Sequence, residues 1–341
     1  MAERILHGGG LIAARRRFPG APEPWIDLST GINPIPYALP PFPPDVLTRL
    51  PEAEDVVALE AIAAAAYGVG DPAMVAAAPG TQALIHVLPR LRAPGEVAVL
   101  GPTYAEHAAA WALGGCRVRM VAGLDDLDDA VVGVVCNPNN PDGRVHDPAA
   151  LLAQADKLAG RGGLLVVDEA FADLEACSVA PFLPRPGLVV LRSFGKTYGL
   201  AGVRLGFALA DSPLARTIRE ALGPWAVSGP ALHAGRLALA DATWRVAATR
   251  RLEDDRRWLD AWLGDAGYRV LGGTRLFRLA EHPEAAELAD RLARAGILVR
   301  RFDAQARWLR FGIPVRENRD RLAAVLHAHP VRPIGNPVSG P

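Results

Sequence analysis

Lys196 lies in the stretch SFGKTYGLAGVRLG, which runs from Ser193 to Gly206. It follows the apolar run LVVL and stands in a turn of small residues among Gly195, Gly199 and Gly202, with the Ser193 hydroxyl upstream and Arg204 downstream. A lysine that merely solvates a surface needs a long free stem, so an amine at this place is there to react or to hold an anion. Two other polar groups close apolar runs in the same way: Asp168 ends LLVVD, and Asn140 sits in CNPNNPDG directly after VVGVVC. If the runs are strands of one sheet, the carboxylate, the amide and the lysine all emerge at strand ends, where open α/β sheets place their ligands.

That set of groups is what pyridoxal phosphate needs from a protein. The lysine forms the Schiff base, the aspartate pairs with the ring nitrogen so that the ring can withdraw electrons, and the asparagine donates to the ring oxygen. The phosphate needs a separate cradle, and APGTQALI offers one: a strand passing into a helix aims the backbone amides of Gly80, Thr81 and Gln82 at an anion. Ser193 and Arg204 can complete it, the arginine as a forked partner for phosphate oxygens. Taken singly, each group also has an ordinary reading. GTQ is a helix start, Asp168 a capping or paired acid, Tyr104 a core aromatic, and Arg300 and Arg310 members of salt bridges or a solvated edge. The combination carries the inference, because Lys196, Ser193, Arg204, Asp168 and Asn140 all suit one site.

These groups require an α/β core to hold them. MVAAA, VAVL, VVGVVC, LLVVD, LVVL and LGFALA read as short strands, several of them apolar on both faces, as in a mainly parallel sheet covered by helices. TQALIHVLPRL, AEHAAAWALGG and DPAALLAQADKLAG read as the intervening helices, the last starting at Asp147 with Pro148 behind it. The expected organisation is a Pro- and Gly-rich N-terminal arm over 1–50, a large α/β domain over 51–245, and a small α+β domain over 246–330 with a mobile tail over 331–341. RVAATRRLEDDRRWLDAWLGD is expected to be a long connecting helix between the two domains.

Composition limits the partners. The chain has 341 residues, half of them apolar, with 37 basic and 37 acidic side chains, so no global field points to nucleic acid or to an anionic membrane. Small molecules are the expected ligands. Cys116, Cys136 and Cys177 are odd in number and lack paired spacing, which argues against a disulfide framework or a zinc site. No metal is expected. MAERILHGGG has no apolar signal core and no apolar run reaches membrane-spanning length, so a cytoplasmic location is expected.

Together, SFGKTYGLAGVRLG, NPNNPDG and DEAF, in this order and spacing, resemble the fold-type I, class I/II aminotransferase family of pyridoxal-phosphate enzymes. The resemblance covers roughly residues 3–327 and implies the aspartate aminotransferase fold. It narrows at LHGGG, DLSTGINP and PWAVSGPALHAG toward the L-threonine-O-3-phosphate decarboxylases of cobalamin synthesis, relatives of histidinol-phosphate aminotransferase. Carried over by motif, it implies that Lys196 is the Schiff-base lysine, Asp168 the ring-nitrogen partner, Asn140 the ring-oxygen donor and Tyr104 the stacking aromatic. It further implies that Arg310 in WLRFG pairs with the substrate carboxylate and Arg300 in ILVRR with a substrate phosphate, that His7 and Asn33 are pocket residues, and that the enzyme is a homodimer. The sequence departs from the pattern at four places. Phe171 stands in DEAF where most such aminotransferases carry a tyrosine, a feature shared with the decarboxylases. Leu50 replaces a tyrosine that contacts the phosphate across the dimer, while Asp142 and Gly10 replace a threonine and an asparagine.

Three activities fit to different degrees. The favoured one is decarboxylation of O-phospho-L-threonine to (R)-1-aminopropan-2-yl phosphate; the alternative is histidinol-phosphate or other amino transfer, which uses the same residues and breaks a different bond. A ligand sensor fused to a DNA-binding helix-turn-helix is not expected, because no room for such a module precedes Leu6.

Overall fold

The computed structural model describes residues 7–327, so the tail expected over 331–341 lies outside the described residues. The strands, in chain order, are β1 (Ile26–Leu28), β2 (Val75–Ala78), β3 (Glu96–Leu100), β4 (Arg117–Val121), β5 (Val132–Cys136), β6 (Leu164–Asp168), β7 (Leu188–Ser193), β8 (Gly206–Leu209), β9 (Arg269–Thr274), β10 (Phe277–Glu281), β11 (Ile297–Arg301) and β12 (Trp308–Gly312). They divide between two compact units. The larger contains Ile32–Leu252 and Gly273–Leu276; the smaller contains His7–Gly31, Glu253–Gly272 and the chain from Phe277. The N-terminal arm is thus shared: its first part belongs to the smaller unit and residues from Ile32 onward to the larger.

The sheet of the larger unit runs β2-β8-β7-β6-β5-β3-β4. β7, β6, β5, β3 and β4 are parallel, while β8 is antiparallel to both β7 and β2. Every residue of β5, β6 and β7 is buried, because apolar layers cover both faces. Alternation sorts their side chains: Val134, Val166 and Val189 enter one layer, and Val135, Val167 and Val190 the other. Helices Ala105–Leu113 and Pro148–Ala159 are among the connections, and the latter starts as its sequence suggests, with Asp147 accepting from the Ala149 amide. β4 does not read as a strand from RVRMV. It is an edge strand on which Arg117 is exposed and Arg119 half-buried against Glu96, and charge of this kind protects an edge.

The chain lays β4 on one side of β3 and then returns to place β5, β6 and β7 successively on the other. The reversal lies between β3 and β5, so a ligand site is expected at the carboxyl ends of these strands. The smaller unit carries a five-stranded sheet, β1-β11-β12-β10-β9, in which β1 runs parallel to β11 and β12 is antiparallel to both its neighbours. Helix Ala285–Arg294 buries Leu288, Ala289, Leu292 and Ala293, one face at helical spacing.

Candidate active site

The carboxyl ends of the parallel strands bring the expected groups of the larger unit together. Asp168, the last residue of β6, is buried and uses both oxygens: Oδ1 accepts from the Ala170 amide at 3.0 Å, and Oδ2 lies 2.8 Å from His107 Nε2. The next residue, Glu169, falls on the opposite side of the chain and pairs with Arg192 at 2.6 Å. Arg192 also reaches Asp173 at 2.6 Å and lies over the Tyr67 ring. A buried ion pair of this kind ties the end of β6 to β7, because removing either charge would leave the other unpaired.

Lys196 lies one short turn beyond β7, in helix Phe194–Thr197, with its Nζ 5.6 Å from the Phe171 ring centre. Asn33 holds this turn from outside. Its amide N–H donates to the Lys196 carbonyl at 2.9 Å, its Nδ2 donates to the Thr197 carbonyl at 2.8 Å, and its Oδ1 accepts from Arg251 Nη2 at 2.9 Å. The geometry gives the Asn33 side chain a positioning task at the lysine. Of the asparagines in NPNNPDG, Asn137 and Asn139 form bonds within the fold, to Cys177, Thr103, Pro102 and Asp142, while Asn140 is half-buried in the turn after β5.

Two glycines draw the groups expected to cradle a phosphate close together. Gly80 has φ +88°, and a Cβ there would meet Arg204 Nη2 at 2.7 Å, so only glycine lets the guanidinium close over the start of helix Thr81–Val87. A Cβ on Gly206 would strike the Thr81 amide at 2.6 Å, and Gly206 is the cross-strand partner of Ser193. Gly80, Thr81, Ser193 and Arg204 therefore converge. Arg204 holds a left-handed φ of 59°, unusual outside glycine and common where a site fixes its backbone, and its Nη1 donates to Ala201 at 3.0 Å.

Gln82 acts through its side chain. Its Oε1 accepts from the Tyr104 hydroxyl at 3.1 Å, and its Nε2 donates to Glu106 at 2.9 Å, which fixes the tyrosine ring. Burial, reinforced by the Glu106 and Asp168 charges, pushes the Tyr104 phenol up to about 12, so it stays a donor. The Tyr104 and His107 rings meet edge to face with centres 6.2 Å apart. A buried carboxylate beside a fixed aromatic suits a cationic ring nitrogen, and the Gly80–Arg204 cradle suits a phosphate. The residues present fit pyridoxal phosphate.

Sequence reasoning missed His107. It stands three residues after Tyr104 in AEHAAAW, a spacing that puts it on the helix face carrying Tyr104, and that spacing was the available signal. Its buried imidazole, the Cys136 thiol and the Asp168 carboxylate lie within 4.8 Å of one another. These are metal-ligand types. However, the 2.8 Å separation of His107 from Asp168 is a hydrogen bond, shorter than the roughly 3.3 Å between two tetrahedral ligands of a zinc ion.

The smaller unit holds the remaining candidates. Arg310 of β12 is buried, its Nη2 donates to the Ser29 carbonyl at 2.8 Å, and its guanidinium lies 5.0 Å from the Phe277 ring centre. Arg300 is its direct partner on β11. Arg301 faces the other way and pairs with Asp290 at 2.7 Å. His7 is exposed, but the glycines that follow it are anchored beside Arg310: Gly9 N–H donates to Ser29 Oγ at 2.7 Å, and a Cβ on Gly8 would strike the Ser29 carbonyl at 2.3 Å. The motifs LHGGG, DLSTG and WLRFG therefore meet at Ser29.

Residues 51–326 match the family model described as aminotransferase class I and II. The chain is 46% identical to a threonine-phosphate decarboxylase of Sinorhizobium sp, over 95% of this chain and 98% of that one. It is 47% identical to a threonine-phosphate decarboxylase of Pseudomonas aeruginosa, over 91% and 93%. A histidinol-phosphate aminotransferase of Geobacter sp. is 30% identical over 89% and 91%. Among solved structures, a histidinol-phosphate aminotransferase of Sinorhizobium meliloti in complex with pyridoxal-5'-phosphate superposes with a TM-score of 0.81 at 22% identity, covering 96% of each chain.

Proposed function

The chain belongs to the aminotransferase class I and II family, and within it we propose a pyridoxal-phosphate-dependent lyase that converts O-phospho-L-threonine to (R)-1-aminopropan-2-yl phosphate and CO2. The observation that carries this reading is the identity of 46–47% with two threonine-phosphate decarboxylases, against 30% with the histidinol-phosphate aminotransferase. Phe171 points the same way, because it lies beside the Lys196 amine where a tyrosine is usual in aminotransferases of this kind.

When bound, pyridoxal phosphate supplies an aldehyde for the substrate amine and a ring that takes up the electron pair left by CO2. Lys196 is the residue proposed to carry the cofactor and afterwards to return a proton to the substrate carbon. Asp168, anchored by Ala170 and His107, is proposed to face the ring nitrogen. Gly80, Thr81, Gln82, Ser193 and Arg204 are proposed to hold the phosphate end, and Asn140 and Tyr104 the ring. Arg310 and Arg300 are proposed for the two anionic ends of the substrate, carboxylate and phosphate, with His7 nearby in the same unit.

The product is the aminopropanol phosphate of cobalamin synthesis, and we assign the enzyme to that pathway in the cytoplasm. No helix of the described residues is long and apolar enough to cross a membrane. A homodimer is proposed as the working form. Leu47, Leu50, Val57, Trp225 and Val246 of the larger unit are exposed, and a second copy that covered such side chains would remove apolar area from water.

The deciding experiment incubates the purified protein and cofactor with O-phospho-L-threonine. Stoichiometric CO2 and aminopropanol phosphate are expected, without need of an amino acceptor. Turnover of histidinol phosphate that depends on a 2-oxo acid, with no CO2 from phosphothreonine, would instead establish the aminotransferase.

A further inference from the structure

Residues 33–37 lie as a strap along the turn that carries Lys196. The Asn33 amide donates to the Lys196 carbonyl at 2.9 Å, and the Tyr37 amide donates to the Tyr198 carbonyl at 2.8 Å. Gly199 has φ +67°, and a Cβ there would meet the Asn33 carbonyl oxygen at 2.8 Å and Pro36 Cα at 2.7 Å, so strap and turn touch backbone to backbone. The buried Asn33 side chain adds a third tie, its Nδ2 donating to the Thr197 carbonyl at 2.8 Å. An asparagine amide can hold a carbonyl only with its nitrogen end, and its two ends are nearly equal in size. The groups at the other end therefore set its direction. Two donors stand there: the Ile35 amide at 3.1 Å and Arg251 Nη2 at 2.9 Å, both on Asn33 Oδ1. A guanidinium has donors and no acceptor, so it takes only the oxygen end. Arg251 comes from helix Ala242–Asp265, next to the buried Ala248 and Leu252, and Leu252 is the last residue this helix gives to the larger unit.

We infer that Arg251 is a positioning residue, acting through the Asn33 amide to hold the turn from which the Lys196 amine projects. The inference rests on the assignment of Lys196 as the residue that carries the cofactor; the contacts stand without it. With Arg251 removed, the Asn33 oxygen keeps only the longer bond from Ile35. The amide is then freer to turn, and once turned its oxygen would face the Thr197 carbonyl, acceptor against acceptor, in a place closed to water. The tie to the lysine turn is lost with it. Lys196 has to present its amine at one point to take up the cofactor and again to return a proton, and a reacting group displaced by about 1 Å can lose about a hundredfold in rate.

The test reads the strap and the lysine separately in the full-length protein. Hydrogen exchange of the Asn33 backbone amide, measured without cofactor, reports the strap; the rate at which added pyridoxal phosphate becomes trapped on Lys196 by borohydride reports the amine. Arg251→Met, which keeps the stem and removes the donors, should speed the exchange and slow the trapping, each by about tenfold. It should lower kcat for phosphothreonine and leave KM nearly unchanged. Arg251→Lys keeps one donor group and should restore part of each loss. Asn33→Ala should slow trapping by itself, and adding Arg251→Met to it should cost nothing further, because the arginine acts through the asparagine. Should the methionine variant fold poorly, Arg251→Gln takes its place and should show the same signs at smaller size. Additive losses in the double variant would overturn the inference, as would wild-type exchange and trapping in a well-folded Arg251→Met. Coupling of Arg251 with Asn33 in a protein that releases no CO2 from phosphothreonine would support the positioning role and remove the proposed reaction. Attachment of the cofactor to another lysine, found by peptide mapping, would overturn both the Lys196 assignment and the inference.

Discussion

Arg300 and Arg310 are direct cross-strand partners in the antiparallel pair β11 and β12, so two guanidiniums leave the same face of one sheet side by side. Two guanidiniums side by side can grip a ligand that brings negative charge at both ends. A substrate with a carboxylate and a phosphate does so. Arg310→Ala should weaken every α-amino acid, whereas Arg300→Ala should weaken only phosphorylated ones. Each lost charge-assisted contact is worth roughly 1.5–3 kcal/mol, about ten- to hundredfold in affinity. KM measured for threonine and phosphothreonine separates the two roles, and equal losses in Arg300→Ala would remove Arg300 from the phosphate.

Lys196→Ala tests the amine. The wild type should be yellow and should keep its cofactor through denaturation after borohydride reduction. The variant should bind pyridoxal phosphate only reversibly and release no CO2. A reducible linkage surviving in Lys196→Ala would move the attachment to another lysine, and mass mapping of the reduced peptide would find it.

Gly80→Ala should harm cofactor binding out of proportion to its size. The left-handed φ costs a non-glycine residue roughly 1–3 kcal/mol, and the new methyl would meet Arg204 Nη2 at 2.7 Å. Gly202→Ala is the control, since nothing lies within 4 Å of a Cβ there. The dissociation constant for pyridoxal phosphate should rise about tenfold or more in the first variant and little in the second. Equal effects would mean that Gly80 has no special part in the cradle.

Much of this geometry was legible in the sequence because it rests on local pattern. Asp168, Asn140 and Lys196 each come shortly after a short apolar run, and such runs, bounded by turn residues and rich in valine and leucine, suit buried parallel strands. β4 was hidden because an edge strand carries surface residues. His107 was hidden because its meaning depends on which strand end lies beneath its helix, a long-range fact that spacing alone does not contain. Asn33 looked like a pocket residue from its motif, and the structure shows its amide holding the backbone of Lys196 and Thr197. The pairing of Arg300 with Arg310, and not of Arg301, is a matter of register, which only the folded sheet fixes.

His107 should leave a signature in stability. Its folded value is raised to about 10 despite burial, through Cys136 and Asp168, against roughly 6.5 for a free imidazole. The folded state therefore holds this proton more tightly. The stabilisation is fully present below about pH 6.5 and is lost as pH rises through about 10. Urea midpoints of the wild type should fall across that window more steeply than those of His107→Asn, with the largest difference between the two proteins at the acid end. Parallel curves would show that the imidazole titrates alike in folded and unfolded chains.

Phe171 is the residue that bears most directly on the choice of reaction, and its ring lies 5.6 Å from the Lys196 amine. A tyrosine there would place a hydroxyl toward the ring oxygen of the cofactor and donate to it, stabilising that oxygen as an anion. Phenylalanine has no such donor. The oxygen should then hold the neighbouring imine proton more strongly, so that the visible band titrates at higher pH than in a tyrosine-bearing relative. One charge-assisted hydrogen bond of roughly 1.5–3 kcal/mol corresponds to about one to two pKa units. Phe171→Tyr should accordingly move the spectral transition down by that amount, while the buried position accepts the extra oxygen only if the hydroxyl finds its acceptor. A spectral titration unchanged in a well-folded Phe171→Tyr would mean that residue 171 does not address the ring oxygen, and the preference for decarboxylation would then rest on the likeness to the two decarboxylases alone.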